Sequence, residues 1–325
     1  MSGVLVLSRR DLEKAVSMRE AIEAVEKAFL ALYRGEVKQP LRSIVEAAGG
    51  YVLNMPCYYP AAKSFTVKTV SVFEENLRRG LPTIFATVLL IDPETGMPLA
   101  VMEGGYLTAL RTGAATGVAT KYLAREDSEV LAIVGAGFQA PFQAKAVMEV
   151  RGIRRVLIYD ISRERSEGLA EELRRLGVEA RAAGSCREAV EQADVVVLAT
   201  TAREPAISGD WVKPGTHLNS IGWMGTDARE LDTKTVLMSK LVVDSREAVL
   251  AESGDILIPI REGAMSEEHI YAEIGEVIAG EKPGRESERE VTLWKSVGQA
   301  VQDAAVAKLA YERAAEAKLG VEVEL

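Results

Sequence analysis

Two groups of residues in this sequence could do chemistry. The first is Gly135-Ala136-Gly137-Phe138-Gln139-Ala140, which directly follows the apolar run 130–134. A strand, then G-x-G-x-x-A, then a helix is the arrangement that receives a dinucleotide. Gly135 permits a tight turn, Gly137 lets the backbone approach a pyrophosphate, and Ala140 allows close packing of helix on strand. The amides that open the helix then face the phosphates. Asp160 ends the next apolar run, at the distance where a carboxylate takes the adenosine ribose hydroxyls. A carboxylate there repels a 2′-phosphate, so NAD(H) is favoured over NADP(H); Arg163 follows closely and weakens that exclusion. The bland alternative is a glycine turn that holds no dinucleotide.

The second group is cationic. Arg42 and Lys68 lie in strand-like patterns, and Arg111 lies in a segment rich in small residues. Converging arginines would clamp a carboxylate bidentately. A desolvated lysine could move a proton or polarise a carbonyl or imine. Each can equally be structural, and spacing alone does not gather them. The two histidines add little: His217 sits in an apolar strand pattern and reads as a satisfied core residue, and His269 reads as a surface residue at a helix start. No histidine–carboxylate spacing suggests a metal, and no G-x-S-x-G turn suggests hydrolysis.

The elements that must carry these residues follow from periodicity. Ser17 and Glu20 form a capping box for a helix burying Ile22, Val25, Phe29 and Leu32. Period-two patterns predict strands over 41–47, 51–55, 63–72, 84–91 and 97–102, with Asp92-Pro93-Glu94-Thr95-Gly96 as a turn, and so an antiparallel sheet. A helix over 106–124 follows. From 129 the pattern alternates: strands 129–134, 155–160, 178–182, 194–199 and 216–221, helices 138–150, 163–176 and 185–193. That alternation is the mark of an α/β doubly wound parallel sheet. A strand at 241–244, helices near 266–279 and 298–317, and a solvated connector over 280–290 complete the expectation.

Composition sets the outer limits. The chain has 325 residues, 48% hydrophobic and 27% charged, an ordinary globular balance with room for two domains. A formal charge of −9 argues against nucleic acid or an anionic membrane as partner. Cys57 and Cys186 have no metal-type neighbours and read as free thiols in a reducing cytosol. With no signal-peptide core and no membrane-length apolar run, a cytoplasmic protein is expected.

These residues together resemble the ornithine cyclodeaminase/mu-crystallin family, which includes archaeal alanine dehydrogenase and ketimine (pyrroline-2-carboxylate) reductases. The resemblance covers nearly the whole chain. It is carried by Lys68-Thr69-Val70, Gly80-Leu81-Pro82-Thr83, Asp92 with Thr95-Gly96 and Pro98, and Leu107-Thr108-Ala109-Leu110-Arg111-Thr112. Gly135-Ala136-Gly137 with Gln139, Ile221-Gly222, Arg229-Glu230-Leu231-Asp232, Glu273-Ile274-Gly275 and Ser296 with Gly298, Ala300 and Asp303 continue it. The resemblance implies a Rossmann domain (121–298) inserted into an α+β substrate and dimerisation domain (1–120 plus 299–325). It implies that Arg42, Lys68 and Arg111 hold a substrate carboxylate, with Lys68 catalytic. It also implies that Thr112, Thr200, Ser220, Ile221, Gly222 and Ser296 lie near the cofactor beside Gly135, Ala136, Gly137, Gln139, Asp160 and Arg163, and that the chain forms a homodimer.

One departure discriminates within the family. Cyclodeaminases and archaeal alanine dehydrogenase resemble each other in an aspartate two residues beyond the Ile-Gly glycine. Here Met224 stands in that place, and a thioether cannot take a proton from an amine. Asp227 would need a shifted loop to substitute. Mu-crystallin-type ketimine reductases also lack the acid. The expectation is therefore NAD(P)H-dependent reduction of a cyclic ketimine carboxylate, Δ1-pyrroline-2-carboxylate to L-proline in type. An alanine-type amino-acid dehydrogenase is the alternative, then a non-catalytic NAD(P)H and ligand binder. Ornithine cyclodeamination is disfavoured.

Overall fold

The computed structural model describes residues 3–222 and 225–324, with Leu77 described by its backbone alone. In chain order the elements are β1 (Val4–Leu7), α1 (Arg9–Ala15), α2 (Met18–Tyr33), β2 (Ser43–Ala47), β3 (Gly50–Tyr59), β4 (Ser64–Val72), β5 (Ile84–Ile91), β6 (Pro98–Glu103) and α3 (Gly104–Leu123). Then come β7 (Val130–Val134), α4 (Ala140–Val150), β8 (Arg155–Tyr159), α5 (Arg163–Arg174), β9 (Glu179–Ala182), α6 (Cys186–Gln192), β10 (Val195–Leu198) and β11 (His217–Ser220). The last are α7 (Thr233–Leu237), β12 (Lys240–Val243), α8 (Arg246–Glu252), α9 (Gly254–Arg261), β13 (Ile270–Glu273), α10 (Ile274–Ile278), β14 (Thr292–Lys295), α11 (Ala300–Glu316) and β15 (Val321–Val323). Two compact units result, residues 1–111 with 299–325, and residues 112–298. The first boundary falls inside α3.

The first unit is a seven-stranded sheet in the order β15-β1-β6-β5-β4-β3-β2, antiparallel except where β1 runs parallel to β6. Both starting helices carry full capping boxes, Ser8 with Asp11 and Ser17 with Glu20, which satisfy amides that a helix start leaves open. The α2 face Ala21, Ile22, Val25, Ala28 and Phe29 is buried as its period predicts. Met55, Cys57 and Tyr59 of β3 pack with Ala28 and Ala31 of α2 and with Ala300, Val301, Ala304 and Ala305 of α11. Alanines let α11 lie close to the sheet, and that closeness puts the side chain of Asp303 against β4.

The second unit is an eight-stranded, wholly parallel sheet in the order β13-β12-β14-β11-β10-β7-β8-β9. Its central strands β7, β8 and β10 are apolar on both faces, as strands covered on both sides must be. Leu131, Ile133, Val156 and Ile158 pack toward α4 and α5, while Ala132, Val134 and Leu157 face the core built with α6 and α8. β7 sits where the chain order reverses, with β8 on one side and β10 on the other. Ligands of such sheets bind at that switch point, outside the carboxyl ends of the strands.

Three expectations need correction. The 266–279 segment is not one helix: a turn over Glu267–His269 leads into β13, which pairs with β12, and a new helix starts at α10. Ile270 and Ala272 are buried on the pleat, and Glu273 with Glu276 cap the restart. The 280–290 connector is not simply solvated. Arg285 reaches inward to the carbonyls of Leu123 and Thr216 and the Thr292 hydroxyl, and burial pushes its guanidinium down to about 10. Arg42 lies one residue before β2, not within it.

Candidate functional site

In the first unit, β4 alternates so that Ser64, Thr66 and Lys68 point to the buried face. Lys68 Nζ donates to Asp303 Oδ2 at 2.7 Å, and both side chains are 1% exposed. Arg111, about two turns into α3, donates from Nε to Asp303 Oδ1 at 2.9 Å and from Nη1 to Gln302 Oε1 at 2.6 Å. Two buried cations thus share one carboxylate. Burial and the neighbouring Arg111 charge push the Lys68 ammonium down to about 7, against the opposing pull of Asp303; Arg42 lowers it further. The structure therefore brings Arg42 within electrostatic reach of the pair. The same Asp303 charge, after burial, pushes the Cys57 thiol up to about 12, so Cys57 is an inert thiol here. Thr66 Oγ1 and the Gln302 and Gln299 amide nitrogens are buried without a hydrogen-bond partner. Buried polar atoms left this way are uncommon and mark a place where a polar ligand can complete the set.

Asp303 and Gln302 were not singled out as site residues from the sequence. The signal was present: Asp303 falls on the apolar face of α11, between Ala300, Ala304 and Ala307, where an acid has no solvated reading.

In the second unit, Gly135 has φ +94, and a Cβ there would lie 2.5 Å from the Ala199 carbonyl oxygen. Only glycine fits that turn. A Cβ at Gly137 would meet nothing within 4 Å, so the chain is open where a pyrophosphate would approach. α4 starts at Ala140 with Pro141 in its first turn, and Gln139 Oε1 is buried without a partner. Asp160 accepts from the Ala136 amide at 2.7 Å and the Ser162 amide at 2.8 Å, which fixes its carboxylate beside the glycine turn. Arg163 turns away to Glu167 at 2.7 Å and is mostly exposed. These residues fit an NAD-type dinucleotide.

The remaining positions are placed as follows. Thr200, Ser220 and Gly222 all donate to Glu230. Ile221 follows β11, its amide bonded to Leu198 O. The Ser296 hydroxyl donates to Asp244 at 2.7 Å. Thr112 lies in α3. His217 is fully buried between Thr292 Oγ1 and Asn219 Oδ1, and burial pushes its imidazole down to about 3, so it is neutral at physiological pH and structural. His269 Nε2 donates to Val236 O. Asp227 is exposed and paired with Arg261 at 2.9 Å. Met224 lies outside the described residues. No helix among the described residues is long and apolar enough to cross a membrane.

Comparison with known proteins accords with this geometry. Δ1-pyrroline-2-carboxylate reductase of Bacillus cereus is 38% identical over 325 residues, 99% of this chain and 100% of its own length. A solved structure of Thermococcus litoralis Δ1-pyrroline-2-carboxylate reductase with NADH and L-proline is 55% identical, with a TM-score of 0.96 over 98% of this chain and 100% of that one. An archaeal alanine dehydrogenase dimer with bound NAD is 38% identical, with a TM-score of 0.94 over 99% of each chain. The ornithine cyclodeaminase/mu-crystallin family pattern matches residues 3–318, nearly all of the sequence that builds both units, and the chain belongs to that family.

Proposed function

We propose that the chain is an NAD(H)-dependent reductase of a cyclic ketimine carboxylate, of the Δ1-pyrroline-2-carboxylate to L-proline type. The observation that carries this reading is the surplus buried cation around Asp303. Lys68 and Arg111 outnumber their one carboxylate, so the cluster is completed by an anion the size of a carboxylate. Arg42 adds to the same field. A bound reduced nicotinamide would supply the hydride. The dinucleotide would be held by Gly135, Ala136, Gly137 and Gln139, with Asp160 at the adenosine ribose, and Thr112, Thr200, Ser220, Ile221, Gly222 and Ser296 would lie near its other end.

Reduction of a C=N bond needs a hydride at carbon and one proton at nitrogen. A cyclic imine can arrive protonated, and then the nitrogen needs no acid from the protein. For the neutral imine, Lys68 is the proton source: with its ammonium pushed down to about 7, it gives up a proton far more readily than an ordinary lysine. The absence of an acid at Met224 is consistent with this substrate, because reductive amination must also bind ammonia and pass a carbinolamine. The test is NADH oxidation with Δ1-pyrroline-2-carboxylate beside pyruvate with and without ammonium. Rapid oxidation with the imine alone is expected. Oxidation only with pyruvate plus ammonium would assign an amino-acid dehydrogenase instead, and saturable binding without oxidation of NADH would assign a non-catalytic binder.

The chain is further proposed to act as a homodimer in the cytosol. The sheet face opposite Lys68 presents Pro56, Val67, Leu89 and Val101 in one row and Tyr58, Phe65 and Ile91 in the next, all only half-buried. Such a contiguous apolar face calls for a partner. Leu89→Glu is expected to yield monomer in sedimentation velocity. The two free, buried cysteines suit a reducing compartment.

A further inference from the structure

The second unit contains a buried ionic cluster that the reaction above does not use. Glu230, 1% exposed, lies between the segments that leave β10 and β11. Its Oε1 accepts from the Thr200 amide at 2.8 Å and the Thr200 hydroxyl at 2.7 Å. Its Oε2 accepts from the Ser220 hydroxyl at 3.0 Å and the Gly222 amide at 2.8 Å. One carboxylate thus ties the two segments together. The carboxylate packs directly on Gly222: a Cβ there would lie 2.3 Å from the Glu230 carboxyl carbon and would push it aside.

A second layer fixes Glu230 itself. Asp255 Oδ1 accepts from the Glu230 and Leu231 amides at 2.8 and 2.9 Å. Asp255 Oδ2 pairs at 2.7 Å with Lys295, which is 1% exposed and ends β14. Lys295 also donates to Ser220 Oγ at 3.1 Å and the Gly222 carbonyl at 2.7 Å. Every part of this cross-brace lies at the carboxyl end of the parallel sheet. Burying three charges there is expensive unless their positions serve something.

The place in the sheet says what they serve. Asp160 and the ribose it would hold lie at the end of β8, on one side of the glycine turn after β7. A dinucleotide that crosses the switch point would place its nicotinamide half on the other side, toward the ends of β10 and β11. The Gly135 turn already touches the Ala199 carbonyl there.

We propose that Glu230, held by Asp255 and Lys295, is a positioning residue that fixes the Thr200 and Ser220–Gly222 segments in the geometry that receives the nicotinamide half of the cofactor. This rests on the dinucleotide reading above. The adenosine half depends on Gly135 and Asp160, which the brace does not touch. The two halves of the cofactor should therefore respond differently when the brace is weakened.

The experiment compares binding of NADH and of ADP-ribose, which lacks the nicotinamide, to wild type and Glu230→Gln. It is read by calorimetry, with thermal unfolding followed in parallel. Glu230→Gln keeps the shape, removes the charge and replaces one accepting oxygen with a donor. NADH affinity is expected to fall about tenfold, with ADP-ribose affinity changed by less than about twofold. A parallel loss for both ligands would assign Glu230 a general structural role and overturn the proposal, as would no change in either. Should Glu230→Gln fail to fold, Ser220→Ala removes one bond to the same carboxylate, and the same split is expected at about threefold. Wild-type protein that binds ADP-ribose but not NADH would also overturn it. Failure to bind either ligand would overturn the dinucleotide reading first, and this proposal with it.

Discussion

The two units each bury a cluster of ionic side chains, and the clusters are near opposites. Around Asp303, two cations share one carboxylate, and neighbouring amide and hydroxyl groups lack partners. Around Lys295, one cation pairs with one carboxylate, Asp255, and Glu230 beside it is held by two amides and two hydroxyls. Buried charge is tolerated when it is paired and fully hydrogen-bonded. The second cluster meets that condition from its own chain, so it reads as a brace. The first does not, which is the ground for the proposal that it binds an anion. Burial first, and the Arg111 charge second, hold the Lys68 ammonium below the usual lysine range there.

The sharpest way to break this contrast is to remove the lysine from each cluster. Lys68→Met should lower turnover with the cyclic imine by about 10²–10⁴-fold, the range for a positioned acid or base. Unchanged kcat would end the catalytic role of Lys68. The same substitution relieves a surplus of buried cation, so denaturant unfolding should show less than about 1 kcal/mol of lost stability. Lys295→Met should behave in the opposite way: it leaves Asp255 without its cation, and a loss of about 3–5 kcal/mol is expected. Equal stability losses in the two variants would mean that both clusters are structural.

How much of this was legible beforehand differs between the clusters for the same reason. The glycine turn and Asp160 were readable because their chemistry is local: a few residues in a fixed order fix a backbone shape. Lys68 and Arg111 were readable only as candidates, since 43 residues separate them and only the packing of α3 and α11 on β4 joins them. Asp303 was hidden as an acid in an alanine-rich helix. Lys295 was hidden more deeply, because β14 itself was not predicted: Thr292-Leu293-Trp294-Lys295 is too short and too mixed to show a period, yet it is a fully buried central strand. Likewise β13 was read as helix because its four residues adjoin a real helix start.

Acidity separates the clusters further. Lys68 titrates near 7 when folded and about 10.4 when unfolded, so between those values the unfolded chain holds more protons. The penalty for charging Lys68 is fully present below pH 7 and is relieved as pH rises. Wild-type stability relative to Lys68→Met should therefore increase from pH 7 toward 10. Affinity for a carboxylate runs the other way, because neutral Lys68 no longer attracts it. kcat/KM should fall above pH 7 by up to about tenfold per unit, and that limb should be missing in Lys68→Met. A flat kcat/KM profile in the wild type would show that the arginines bind the anion without Lys68.

The smallest effect concerns Asp160, which stands between the two types. Like the brace carboxylates, it is fixed by two amides, from Ala136 and Ser162. Like the receptor, it keeps lone pairs for a ligand, the ribose hydroxyls. On the proposed reading its charge, not its shape, would exclude a 2′-phosphate, and Arg163 is engaged with Glu167 in the structure. Asp160→Ser keeps a small polar acceptor and removes the repulsion, and Arg163 is then the nearest cation in sequence to welcome a phosphate. The ratio of NADH to NADPH kcat/KM should drop by about tenfold, corresponding to about 1.4 kcal/mol of discrimination. NADH turnover itself should fall by less than that. A ratio that does not move would mean that Asp160 serves only its two amides, and that cofactor choice lies elsewhere in the second unit.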